Sequence, residues 1–266
     1  FEPLFYSVGT EYFAAESSYK GDLLFITLGP WLQRMLLERY GSNSHAIDFW
    51  VDREYYFSDT SKRHDRGDTR KIVFFARPAM PRRCFVLGME ALEILSMRMP
   101  DTQIFLYGSN DLAEYPVRFP HTNLGVLNRS ELGALYREAD VGLLFSTTNP
   151  SLALFEAMAC GLPVVDLDVL DSYARHGDDY PAYLVDPTSV AIAGGIVELL
   201  SNDSLWRERV SRSLEYTREI KSPKTCLGQI CTIIERHVEE AQIGYAHDRD
   251  MRETGSGVTS LVQPIH

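Results

Sequence analysis

Long apolar runs are missing from this 266-residue chain: no stretch approaches the ~20 residues that a membrane-spanning helix needs. Basic excess is missing as well. Lys and Arg total 26 against 37 Asp and Glu, a formal net charge of −11. That balance argues against a nucleic-acid partner, which requires a basic face, although it leaves room for a local basic pocket. The four cysteines (Cys84, Cys160, Cys226, Cys231) form no CxxC pair, and the seven histidines sit at no metal-ligand spacing. No metal and no cofactor are therefore assigned, and free buried thiols in a reducing compartment are expected. Nucleophile elbows, Walker loops and HExxH helices are absent, as are a signal peptide and any internal repeat. The chain opens at Phe1 inside sequence that reads as structured, and so reads as a piece of a longer protein.

What is present is an ordinary globular composition, 45% hydrophobic and 24% charged, with strands and helices alternating from Lys71 onward. Lys71 to Ala76 is an apolar run of strand length, the pattern of a strand covered on both faces. Arg83 to Met99 has helical spacing, Gln103 to Tyr107 is a strand, and a short strand is predicted at Thr122 to Val126. Ser130 is expected to cap a helix. Val141 to Phe145 is a strand, Ser151 to Ala159 a helix, and Pro163 to Asp166 and Tyr183 to Val185 are strands. Thr188 caps a helix through Leu200. Such a series predicts an α/β fold with a doubly wound parallel sheet. Ligands of that architecture bind outside the carboxyl ends of the strands, here Arg77, Gly108, Leu127 and Ser146 to Asn149.

Before Lys71 the pattern differs. Leu23 to Thr27 and Ile47 to Phe49 read as strands flanking an amphipathic helix over Pro30 to Tyr40. Residues 1–57 are taken as one segment, 58–70 as a polar linker, and 71–220 as the main α/β domain. A helix begins at the favourable Ser222-Pro223 pair and accounts for 221–241. Residues 242–266 dissolve into Gly, Ser, Thr and charge and are expected to be a tail or linker.

Three candidate sites fall on the predicted strand ends. In Arg77-Pro-Ala-Met-Pro-Arg-Arg83, three guanidinium groups follow one strand. Their fork geometry matches phosphate oxygens; a solvated basic turn is the plain alternative. Thr147, Thr148, Asn149, Ser151 and Leu152 surround a helix start, where hydroxyls and bare amides make an anion cradle or a simple N-cap. Glu156 lies inside the otherwise apolar helix Leu152-Ala-Leu-Phe-Glu-Ala-Met-Ala159. A carboxylate there needs a partner, such as a ribose diol; an exposed face residue or an ion pair with a neighbouring arginine is the plain alternative.

The run Phe155-Glu-Ala-Met-Ala-Cys-Gly-Leu-Pro-Val-Val165 closely resembles the donor-site signature of GT-B glycosyltransferases of the large retaining class. Leu124 to Leu144 fits the same families. Ala76 to Arg83, Ser146 to Leu152, and the opening Phe1-Glu-Pro-Leu-Phe-Tyr6 and Gly9-Thr-Glu-Tyr12 resemble a narrower group. These are the WsaF-type rhamnosyltransferases, which build rhamnose-containing surface glycans from dTDP-rhamnose. Thr148 stands where the wider pattern has a second Glu, and Arg stands at the Lys position of its phosphate pair. The resemblance implies a Rossmann-like C-terminal donor domain, with residues 1–57 the remnant of a second, acceptor-side domain. It implies that Arg77 with Arg82 or Arg83 holds a diphosphate, that Glu156 holds the nucleoside sugar, and that the backbone near Val126 and Leu127 meets the base. Gly108 and Ser109 complete the donor set. The implied partners are a nucleoside diphosphate sugar and a glycan or lipid-linked glycan acceptor. The implied location is the cytoplasm, with peripheral association at the inner membrane face left open. No catalytic base is nominated. A nucleotide-sugar epimerase on the same fold and a non-catalytic nucleotide-binding domain are the alternative readings.

Overall fold

The structure is a computed structural model that describes residues 9–21, 23–59, 69–148, 151–169 and 179–253, with side chains as far as 243. The expected linker falls largely on 60–68, which lie outside the described residues, as does Asn149. Phe1–Cys226 form one compact unit and Leu227–His266 a second.

In the first unit, α1 (Thr10–Ser18) precedes β1 (Phe25–Leu28), α2 (Pro30–Tyr40) and β2 (Ser44–Ile47). Pro30 opens α2 at its first turn, where no N–H is needed, and Gly41 closes it in the left-handed region. The two strands pair in parallel, Phe25 opposite Ser44. The second strand therefore sits earlier than the predicted Ile47 to Phe49.

The main sheet comprises β3 (Lys71–Phe75), β4 (Gln103–Tyr107), β5 (Thr122–Asn123), β6 (Val141–Leu143), β7 (Val164–Leu167) and β8 (Tyr183–Val185). Their order is β5-β4-β3-β6-β7-β8, every pairing parallel. The chain starts at the centre, steps outward to β5, then returns to the other side of β3. That reversal makes a topological switch point between β3 and β6, and the crevice outside their carboxyl ends is where such sheets take ligands.

A short 3₁₀ turn, Pro81–Arg83, leads into α3 (Phe85–Arg98). The remaining helices are α4 (Arg129–Glu138), α5 (Leu152–Ala159), α6 (Ser189–Ser201), α7 (Asp203–Arg218) and α8 (Pro223–Glu253). Alternate side chains of β3 enter opposite cores. Ile72 and Phe74 join one with Leu92, Leu95 and Ile196, whereas Val73 joins Tyr136, Phe155 and Met158 in the other. Burial on both faces explains why β3 after Lys71, and β6, are apolar throughout, with Asp166 the polar exception on β7. Gly88 lets α3 rest on the sheet, because a Cβ there would lie 2.3 Å from the Phe74 ring.

Further expectations shift. The cap of α4 is Asn128 rather than Ser130. Its side chain accepts from Glu131 N at 3.0 Å while Glu131 accepts from Asn128 N at 2.9 Å, and this reciprocal box prevails over a lone hydroxyl. The strand β5 ends after Asn123, because Gly125 turns with φ +68°. The last helix continues to Glu253, past the point where apolar periodicity fades. The thiols are free, but only Cys160 and Cys226 are buried; Cys84 is half-buried and Cys231 exposed.

Candidate functional site

The 3₁₀ turn after β3 and the loop after β6 are fastened together across the switch point. Thr147 N donates to Arg82 O at 3.1 Å, and Arg82 Nη1 donates to Ser146 Oγ at 3.2 Å. Arg83 spans the same gap, donating from Nη1 to Phe145 O and from Nη2 to Ser151 Oγ, each at 3.0 Å. Arg77, Arg82, Arg83, Ser146, Thr147 and Ser151 thus occupy one place, although nearly seventy positions separate the two loops. Thr148 is buried beside them.

Crowding of the cations raises the cost of ionising Arg82 and Arg83. Burial and the charge of Arg77 lower the pKa of Arg82. Burial, then the charges of Arg82 and Arg77, lower that of Arg83 to about 10. Arg83 is 5% exposed and lies 4.9 Å from the centre of the Phe75 ring, which Arg77 also covers at 5.7 Å. The ring shields one side of both cations and attracts them through its quadrupole. Asp166 on β7 offsets part of the charge on Arg83.

Gly108 makes this rim possible. Its φ is +103°, and a Cβ would lie 2.7 Å from Phe75 and 3.0 Å from Arg77 Cδ. A side chain at the end of β4 would displace the first arginine. Gly108 N donates to Gly125 O at 2.7 Å, drawing in the turn that presents Val126 and Leu127. Val126 is 64% exposed, and its amide is held by Asn110 Oδ1 at 2.8 Å. Ser109 Oγ donates to Asp111 O and so shapes the same loop.

Helix α5 starts at Ser151 and is seated by Phe155, whose ring stacks 4.4 Å from Phe49 and 6.1 Å from Tyr216. One turn further on, Glu156 is half-buried. Burial raises its pKa to about 7, Arg129 opposes that, and Asp52 adds to it. Asp52 pairs with Arg129 at 3.5 Å, and the buried Tyr56 is close enough to Glu156 for the carboxylate to help raise its own pKa. The carboxylate therefore faces a mixed polar wall, formed by the 52–56 turn and the start of α4. Leu152, in the first turn of α5, is half-buried between the arginine cluster and Glu156 along the chain.

Residues 70–175 match the family described as WsaF, C-terminal domain. These residues are similar to that family, a likeness that supports a GT-B glycosyltransferase. The O-antigen biosynthesis protein RfbC of Myxococcus xanthus is 32% identical over 225 residues, which is 80% of this chain and 17% of RfbC. A sucrose-phosphate synthase from Thermosynechococcus elongatus superposes with a TM-score of 0.68 at 20% identity, covering 87% of this chain and 62% of the synthase. Anabaena HepE in complex with UDP-glucose superposes at 0.65 with 16% identity, covering 84% and 66%. The last two establish the GT-B fold of this chain. The chain spans less than two thirds of each of these relatives' length.

Two parts of the site's surroundings escaped sequence reasoning. Asp52 and Tyr56 lie about a hundred residues before Glu156, with no motif to link them. Asp166-Leu-Asp168 has the spacing of an acidic pair, but Asp166 Oδ2 accepts from Tyr180 OH at 2.8 Å and Oδ1 from Leu167 N at 2.9 Å. Its carboxylate serves the fold. Among the described residues no three acidic, His or Cys side chains group as metal ligands.

Proposed function

We propose that this chain is the donor-binding half of a glycosyltransferase that moves a sugar, L-rhamnose from dTDP-rhamnose, onto a growing surface polysaccharide. One observation carries the reading: Arg77, Arg82 and Arg83 converge with the first turn of α5 at the crevice between β3 and β6. Guanidinium groups and helix amides together suit a diphosphate. Glu156, one helix turn away, would accept hydrogen bonds from the nucleoside sugar, and the Val126–Leu127 turn would border the base. RfbC, an O-antigen biosynthesis protein by name, supports a surface-glycan acceptor. Thr148, at the loop position of the narrower group, supports rhamnose.

Catalysis in this reading is electrostatic. As the bond from the anomeric carbon to the diphosphate breaks, negative charge grows on the leaving oxygens, and positioned cations stabilise it without reorganising. Positive charge develops on the sugar at the same time. The acceptor, a glycan or lipid-linked glycan, would approach from the side of residues 1–57. No described helix is long and apolar enough to cross a membrane, and we place the protein in the cytoplasm, meeting any lipid-linked acceptor peripherally.

Calorimetric titration of the chain with dTDP, UDP and GDP tests this. Arg77→Ala and Glu156→Ala are each expected to weaken binding about tenfold or more, the scale of one lost charge-assisted bond, with the circular dichroism spectrum unchanged. Unaltered affinity in both variants would remove the site.

A further inference from the structure

Helices α4, α6 and α7 are each capped by the residue just before their first one. Asn128 accepts from Glu131 N, Thr188 from Ala191 N at 3.2 Å, and Asn202 from Leu205 N at 3.1 Å. Helix α5 is preceded by Ser151, an equally good cap residue, yet no side chain caps it among the described residues. The hydroxyl is engaged elsewhere: Ser151 Oγ accepts from Arg83 Nη2 at 3.0 Å.

Arg83 can do this because of where it stands. The 3₁₀ turn after β3 directs its side chain inward, under the loop that follows β6. One arm of the fork reaches Phe145 O and the other Ser151 Oγ. The side chain is 5% exposed, and its Nε is buried with no hydrogen-bond partner among the described residues. Each terminal nitrogen is tied to the protein by one N–H and the side chain is buried, so Arg83 is poorly placed to wrap a phosphate itself. Arg77 and Arg82 are half-buried and better placed for that.

We propose that Arg83 is a positioning residue: it withholds Ser151 from capping α5 and so keeps the first-turn amides of that helix open to a diphosphate. The inference rests on the nucleotide reading above. In α5 the Leu154 amide already has Ser151 O at 3.1 Å, which leaves those of Leu152 and Ala153 as the donors at issue. A freed serine hydroxyl would turn onto the Ala153 N–H and compete with the ligand for it. Arginine suits the task better than lysine because two acceptors are bridged by one rigid plane, which an ammonium lacks.

The test is a sign reversal measured by calorimetric titration of the full chain with dTDP and UDP. In the parent, Ser151→Ala removes an anchor of Arg83 and lowers affinity. In Arg83→Lys, charge is kept but the fork is lost; Ser151 is released to cap, and affinity falls about fivefold. That factor is the ~1 kcal/mol of a typical cap interaction converted at 1.4 kcal/mol per tenfold. Adding Ser151→Ala to Arg83→Lys then restores most of the fivefold loss. The Arg83→Gln pair repeats the comparison from a neutral side chain and should show the same gain, on a lower baseline. Arg83→Lys binding as tightly as the parent, or Ser151→Ala giving no gain in either background, would overturn the proposal while leaving the nucleotide site standing. A parent chain that binds neither nucleotide would overturn both.

Discussion

Glu156→Gln separates the physics of the site from its biology, because the effect on stability needs no ligand. Burial, reinforced by Asp52 and opposed by Arg129, raises the carboxyl from an ordinary 4.5 to about 7. Between those values the folded chain holds a proton that the unfolded chain has released. Stability therefore falls as pH rises from 4.5 to 7 and is level above. The rise corresponds to roughly 3 kcal/mol at 1.36 kcal/mol per pH unit. Water reaching the partly exposed carboxylate reduces this to about 1–2 kcal/mol. Glutamine keeps the shape and never ionises. The variant should match the parent in a melt at pH 4.5 and exceed it by about 2–8 °C at pH 8, taking ~2–4 °C per kcal/mol for a chain of this size. If the difference were constant with pH, or opened toward acid, Glu156 would be either solvated or ion-paired, and its assigned surroundings would be wrong. A nucleoside sugar donating a hydroxyl, the 3′-hydroxyl in dTDP, favours the ionised form. Parent affinity for dTDP is thus expected to strengthen as pH rises through 7, a trend absent in Glu156→Gln.

Two further predictions concern the scaffold beneath the arginine turn. Cys84, the first residue before α3, has φ +46°, and no other non-glycine residue described here has a positive φ; Cys84→Gly should raise the urea midpoint by the equivalent of ~1 kcal/mol, and a lowered midpoint would mean that the thiol's contacts outweigh the strain. Gly88→Ala places a methyl 2.3 Å from the Phe74 ring and should cost about 1–3 kcal/mol in denaturant titration; a neutral result would show that α3 does not lie on that ring.

The sheet was legible because parallel strands buried on both faces must be apolar throughout, as Ile72 to Phe75 are. The meeting of Arg77–Arg83 with Ser146–Ser151 was legible for a topological reason. Parallel strands send all their carboxyl ends to one edge, and the central pair β3 and β6 are neighbours. Helix caps were read less well. Asn128 and Ser130 are both plausible caps in isolation, and only the Glu three places after Asn128 decides between them, a signal present in the sequence but passed over. The inward turn of Arg83 was not legible. Adjacent arginines are equivalent in a sequence, and it is the 3₁₀ geometry of Pro81–Arg83 that sends one beneath the loop and leaves the other half-exposed. Nor could Asp52 and Tyr56 be assigned to Glu156, since that contact depends on how the 52–56 turn packs against α4. Gly133 permits the approach, a Cβ there lying 2.3 Å from Tyr55 O.

The charge at the switch point is unusual in how it is answered. Arg83 stays protonated with its pKa near 10, but the groups that touch it are a carbonyl, a hydroxyl and an aromatic ring. Each supplies a dipole or quadrupole rather than a charge. Asp166 offsets part of the field from the next strand, and its own carboxylate is held by Tyr180 and the Leu167 amide. Burying cations with so little direct neutralisation costs folding free energy, and the cost is concentrated beside a helix end that also carries partial positive charge. A dianionic group entering there would recover part of that cost. Because the dipoles are already oriented, the recovery would be largest where negative charge is densest, on the oxygens of a departing diphosphate.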